Sequence, residues 1–349
     1  MTKNRTLVFI LAFLVIAGCS GDNGEKTASS GSEEAKRPRV AFVTNGVADF
    51  WVIAKKGAEA GGKEYGSDVS VHMPPAGLSD QQRILEDLLV KGVDGIAVSP
   101  IDPTNQTEFL DKVAARTDLI THDSDAPDSD RLVYIGMDNY DAGRMCGRLV
   151  KETLPDGGKV FIFIGRLEQD NARRRRQGVI DELLDRDSDP SRYDPPGATL
   201  EGEKYVVLGT LTDQFDLAKG KANAEDALSR HPDVDAMVGL FAYNPPLILE
   251  ALKGANRLGE IKVIAFDEDD QTLQGIKDGT VSGTVVQNPY EYGRQSVKVL
   301  AALANGDRSV IPEDGMINIP ARTITSKDVD AFWADLRKKT GKDGDENKG

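Results

Sequence analysis

The chain has 349 residues, enough for two domains at roughly 100–200 residues each. Hydrophobic residues make up 39% and charged residues 29%, which excludes a disordered chain and a many-span membrane protein. With 43 Lys+Arg against 57 Asp+Glu the net charge is -14, which argues against general nucleic-acid binding, and two cysteines with three histidines leave little for a zinc site or a disulfide framework.

Lys3 and Arg5 precede an apolar run, LVFILAFLVIA, at residues 7–17. A spanning helix needs about 20 residues, so this shorter run reads as a signal-peptide core. Ile16-Ala17-Gly18-Cys19 matches the bacterial lipobox, an aliphatic residue and two small ones before the lipidated cysteine. Residues 1–18 are therefore expected to be removed, leaving Cys19 acylated and the protein exported and anchored to a bacterial membrane. Cys146 is then the remaining thiol, expected to be a small buried apolar residue. Residues 19–37 (CSGDNGEKTASSGSEEAKR) carry no large apolar side chain and read as a flexible tether.

From residue 40 onward, short β-branched runs alternate with amphipathic stretches. VAFVT at 40–44 is a strand candidate, followed by a helix over about 50–65 and a strand at 69–73. Ser79 with Gln82 suggests a capping box ahead of Ile84, Leu85, Leu88 and Leu89. Strands at 95–99, 119–122 and 133–136 flank a helix over about 104–116. A second set follows: a strand at 159–165, a helix over 173–184, and strands at 205–208, 236–240, 263–266 and 281–286. Helices are expected near 216–229, 247–253 and 292–304. Residues 337–349 read as a disordered charged tail.

Such alternation implies βαβ units, hence two doubly wound parallel sheets buried on both faces. Ligands of such sheets sit beyond the carboxyl ends of the strands. The segments there are 45–51, 99–102, 123–125, 166–173, 241–244 and 267–270, rich in aromatics, carboxylates, amides and arginine. Carboxylates and amides meet hydroxyls in pairs, and aromatic rings pack on the C–H faces of a sugar.

The segments VAFVTNGVADFWVIAKKGAE, GVDGIAVSPIDP, ITHDSDAPDSDRLVYIGMDNYDAGR, HPDVDAMVGLFAYNPP and VIAFDEDDQTLQGIKDGTVSGTVVQNPYEYG resemble periplasmic sugar-binding proteins of the ribose/galactose/xylose type. The resemblance covers residues 40–320. It implies the type I periplasmic binding protein fold, two doubly wound parallel-sheet lobes joined by three hinge crossings. An N-terminal lobe of residues 38–138 plus 288–316 and a C-terminal lobe of 139–287 plus 317–336 are expected, with hinges near 133–139, 287–289 and 316–319.

Position by position, the resemblance makes Phe50 and Trp51 the aromatic pair against the sugar. Asp123 and Asp267 become the hydroxyl-binding carboxylates, and Ser99, Arg173 and Gln287 further contacts. Phe215 is a candidate opposing ring. At 241–246 two alignments stay open, one placing Phe241 in the cleft and the other Asn244; Asn244 is the preferred ligand by chemistry. Ser124 stands where ribose-type proteins place arginine, which argues against ribose itself.

The implied function is a substrate-binding lipoprotein of an ABC sugar importer, monomeric, delivering a monosaccharide or similar polyol to an inner-membrane permease. No cofactor, metal or nucleic acid is implied. A ligand-sensing receptor for a histidine kinase or chemotaxis system would use the same body. A sugar-responsive transcriptional regulator would need an N-terminal helix-turn-helix where residues 1–37 carry a leader and tether. An exported enzyme is disfavoured because no Gly-x-Ser-x-Gly elbow, metal-binding His cluster or Walker A loop occurs.

Overall fold

The computed structural model describes residues 37–342. The leader, Cys19 and nearly all of the tether lie outside these residues. The chain runs β1 (Arg39–Val43), α1 (Asp49–Glu64), β2 (Asp68–His72), α2 (Leu78–Lys91), β3 (Gly95–Val98), α3 (Pro103–Ala114), β4 (Asp118–His122) and β5 (Tyr134–Gly136). It continues through α4 (Asn139–Thr153), β6 (Gly158–Ile164), α5 (Asp170–Leu183), β7 (Leu200–Glu201), β8 (Tyr205–Thr212), α6 (Leu217–Arg230) and β9 (Ala236–Gly239). Next come α7 (Asn244–Gly254), β10 (Lys262–Phe266), α8 (Asp270–Asp278), β11 (Gly283–Val286) and α9 (Pro289–Ala304). β12 (Met316–Asn318), β13 (Arg322–Ile324) and α10 (Val329–Thr340) complete it.

The strands form two sheets, in the orders β12-β5-β4-β3-β1-β2 and β13-β11-β10-β9-β6-β8-β7. The first is parallel throughout. The second is parallel except at its edges, where β13 and β7 run antiparallel. Two-sided burial explains the apolar runs. Val160, Ile162 and Ile164 of β6 enter one core, and Phe161 and Phe163 enter the core on the opposite face. Val40 and Phe42 are separated in the same way from Ala41 and Val43 in the first sheet.

The chain passes between the sheets after β5, after β11 and after β12. Because Ile317 and Asn318 pair with Ile135 and Gly136, β12 belongs to the first sheet, and the expected boundary after residue 316 moves beyond Asn318. The expected tail also starts too early. α10 carries Arg337 through to Thr340, held by Phe332, Trp333 and Leu336 against the second core and by Trp333 Nε1 donating to Asp270 at 2.9 Å.

Three local expectations change. The capping box at Ser79 does not form; α2 begins at Leu78 after Gly77, whose φ of 77° stops the preceding chain. α8 was not legible, because a nine-residue helix opening in an acidic run buries few apolar side chains, chiefly Leu273 and Ile276. α5 begins at Asp170, three residues before the expected start, which shifts the face that each arginine occupies.

Two helix pairs fix the lobes, α1 against α9 and α4 against α5. A Cβ on Gly143 would overlap the Arg175 carbonyl oxygen, and one on Gly178 the Tyr140 carbonyl oxygen. The backbone of α5 therefore sits directly on α4, which sets the height of Arg175.

Candidate functional site

In each sheet the strand order reverses beside the first strand of its lobe, between β1 and β3 and between β6 and β9. Loops on either side of such a reversal diverge and leave a crevice. A partly open cavity lies there, lined by residues of both lobes.

The first lobe contributes Asn45 after β1, Phe50 and Trp51 from the first turn of α1, and Asp123 after β4. The Phe50 and Trp51 rings meet edge to face at 4.8 Å. Trp51 rests against His122, which stacks on Phe42 at 3.9 Å. Burial pushes His122 down to about 3, so at neutral pH it is an uncharged aromatic prop.

Asp123 takes a left-handed φ of 59° and is 3% exposed. Its Oδ2 accepts from Ser99 Oγ at 3.0 Å, from Asn171 Nδ2 of the opposite lobe at 3.1 Å, and from Asn45 Nδ2 at 3.4 Å. Burial pushes its carboxyl up to about 7; nearby Arg175 opposes that rise and Asp267 adds to it.

The second lobe contributes Gln169 just before α5, Asn171 and Arg175 from α5, Phe215 before α6, Phe241 to Tyr243 after β9, and Asp267 after β10. Asp267 mirrors Asp123 with a φ of 64° and 4% exposure. It accepts from Gln287 Nε2 at 2.8 Å, and Gln287 Oε1 in turn accepts from Tyr292 OH at 3.1 Å. Burial pushes Asp267 up to about 6, against the pull of Arg175. Beside it, burial holds Glu268 well above the usual carboxylate range.

Arg175 is the central cation. It is 1% exposed and lies 3.8 Å from the Asp267 carboxylate and 3.8 Å over the Phe266 ring. It donates to Leu240 O at 2.7 Å and to Asn139 Oδ1 at 3.0 Å. Phe215 stacks on Phe241 at 5.5 Å and leans on Tyr243 at 5.9 Å, which gives the second lobe an aromatic wall opposite Phe50 and Trp51.

Of the sequence candidates, Phe50, Trp51, Asp123, Phe215, Asp267 and Gln287 line the cavity. Ser99 sits behind Asp123 and donates to it. Arg173 is misplaced: α5 starts at Asp170, so Asn171 and Arg175, four apart, share the cavity face, and Arg173 points elsewhere to pair with Asp170 at 3.3 Å. Asn244 also turns away. With Pro245 and Pro246 it forms the first turn of α7; Oδ1 accepts from Phe241 N at 2.9 Å and Nδ2 donates to Asp213 at 3.0 Å. Phe241 takes the cavity position. Asn45, Ala48, Gln169, Asn171, Arg175, Ala242 and Tyr243 were missed, although all but Arg175 lie in the segments that follow β1, β6 and β9.

Two α/β lobes, connected by three crossings of the chain and facing each other across a cavity with aromatic walls and two buried carboxylates, define a hinged binding protein. The chain belongs to the periplasmic binding protein family: the periplasmic binding protein domain matches residues 40–308. It is 26% identical over 311 residues to the ribose import binding protein RbsB of Bacillus subtilis, covering 88% of this chain and 95% of that one. It is 25% identical over 334 residues to the D-ribose/D-allose-binding protein of Pseudomonas aeruginosa, covering 91% and 97%. An ABC transporter solute binding protein from Burkholderia graminis, solved with D-arabinose, superposes with a TM-score of 0.76 at 28% identity, covering 85% of this chain and 98% of that one. The glucose-galactose binding protein GanP of Geobacillus stearothermophilus gives 0.75 at 26% identity, covering 84% and 99%.

Proposed function

We propose that this chain is the substrate-binding component of an ABC sugar importer and closes its lobes around a monosaccharide or similar polyol. The observation that carries this reading is the pair of buried carboxylates, Asp123 and Asp267, set between aromatic walls around one arginine. Each carboxylate accepts two hydroxyl hydrogen bonds, and charge-assisted bonds of this kind are short and strong. The rings of Phe50, Trp51, Phe215 and Phe241 cover the C–H faces of the sugar. Ligand contacts from both lobes exist only in the closed form, so binding shifts the open–closed equilibrium. The protein performs no chemical step and acts as a monomer that hands its ligand to a permease.

Titration calorimetry against a panel of pentoses, hexoses and cyclitols tests this. One member should bind, and Asp123→Ala and Asp267→Ala should each weaken it about a hundredfold or more while remaining folded. Unchanged affinity in both variants would remove the site assignment. Anchoring through Cys19 rests on the lipobox; Cys19→Ala should abolish incorporation of labelled palmitate in an expressing bacterium, and continued labelling would refute it.

A further inference from the structure

α5 opens without a side-chain cap. Its first flanking residue is Gln169, whose amide makes no bond to the first turn. Asp102, Asp138, Asp216, Asp269 and Asn288 cap their own helices with a side-chain oxygen, whereas α1, α2, α7 and α10 open uncapped as α5 does. Gln169 is 1% exposed and lines the cavity, yet neither Oε1 nor Nε2 has a hydrogen-bond partner among the described residues.

The other amides of the cavity are engaged. Asn45 donates to Ser99, Asn171 donates to Asp123 and accepts from Ala172 N, and Gln287 bridges Asp267 and Tyr292. Gln169 is therefore the amide whose donor and acceptor are both unspent. A buried polar group without a partner carries a penalty worth about ten- to a hundredfold in an equilibrium constant. The group that removes it must come with the ligand.

A carboxamide presents one acceptor and one donor side by side. That pair complements two neighbouring hydroxyls, one donating and the other accepting. We propose that Gln169 reads a vicinal diol of the bound polyol, separate from the hydroxyls taken by Asp123 and Asp267. The cavity then selects a fully hydroxylated polyol and rejects the deoxy analogue that lacks a hydroxyl at this place. This inference rests on the sugar-binding reading above and assigns Gln169 as a specificity-determining contact of the same cavity.

The test uses the full chain, calorimetry, and D-ribose, D-allose, D-arabinose, D-glucose and D-galactose, with the monodeoxy analogues of whichever sugar binds. Gln169→Leu, close in volume, should weaken the parent sugar about ten- to a hundredfold. For the two monodeoxy analogues that each lack one hydroxyl of the diol, Gln169→Leu should cost less affinity than it costs the parent, because one of the two bonds is already absent. Unliganded Gln169→Leu should melt no lower than wild type, since it removes an unpaired buried amide. Wild-type affinity for the parent in Gln169→Leu, or an equal loss across all analogues, would overturn the role of Gln169 and leave the sugar reading standing. Failure of the wild type to bind any sugar would overturn both.

Discussion

Asp123 and Asp267 close matching corners of the two lobes, but their surroundings differ. Each follows an inner parallel strand, each is buried, and each holds a left-handed φ that aspartate tolerates better than bulky residues do. Among the described residues, only neutral donors hydrogen-bond the Asp123 carboxylate: a hydroxyl and two amides. Asp267 has Gln287 and also the Arg175 guanidinium at 3.8 Å. Burial raises both carboxyls, Asp123 to about 7 and Asp267 to about 6, and Arg175 resists the rise in each. The first corner stores a desolvated acid; the second is half of a buried ion pair. One cation thus serves two carboxylates, and it stands nearer to one of them.

The strongest way to break this comparison is to remove that cation. Arg175→Ala strands Asp267, frees Leu240 O and Asn139, and empties the space over Phe266. Breaking a buried pair costs about 3–5 kcal/mol, so a drop of that order in urea-unfolding free energy is expected. A drop below about 1 kcal/mol would mean that Arg175 does not hold the two corners together.

The next effect separates the corners by pH. Asparagine keeps the left-handed backbone and the side-chain shape, so Asp→Asn tests charge more cleanly than Asp→Ala. A carboxyl raised on folding from its ordinary value near 3.8 to about 7 contributes its stability below about pH 4 and loses it as pH rises through 7. Asp123→Asn should therefore melt about 2 °C above wild type at pH 8 and level with it at pH 4. Asp267 is raised less, to about 6, because Arg175 stands beside it, so Asp267→Asn should raise the melting temperature at pH 8 by less than Asp123→Asn does. Equal shifts in the two variants at pH 8 would erase the distinction. The smallest effect is the control: Arg173→Ala, half exposed and paired only locally with Asp170, should change stability by less than about 0.5 kcal/mol.

Much of this was legible in the chain. The parallel strands, the two-lobed class and the segments that carry Phe50–Trp51, Asp123 and Asp267 follow from position, because residues just after a buried strand emerge at its carboxyl end. Connectivity alone fixes that placement. The family resemblance pointed to the same residues and also to Gln287.

What sequence did not decide was rotation about a helix axis and reach across the cleft. Among four consecutive arginines, the starting point of α5 chose Arg175, and that start depends on the seat of α5 against α4 at Gly143 and Gly178. The Pro245-Pro246 turn rotated Asn244 inward and left Phe241 on the cavity. Asn171 reaches Asp123 from 48 positions away in sequence, across two lobes. Sequence by itself determined which elements form and what emerges at their ends, because those depend on local pattern and chain order. Tertiary packing decided which side chains share the cavity, because helix phase and lobe-to-lobe distance are set by contacts between residues remote in the chain.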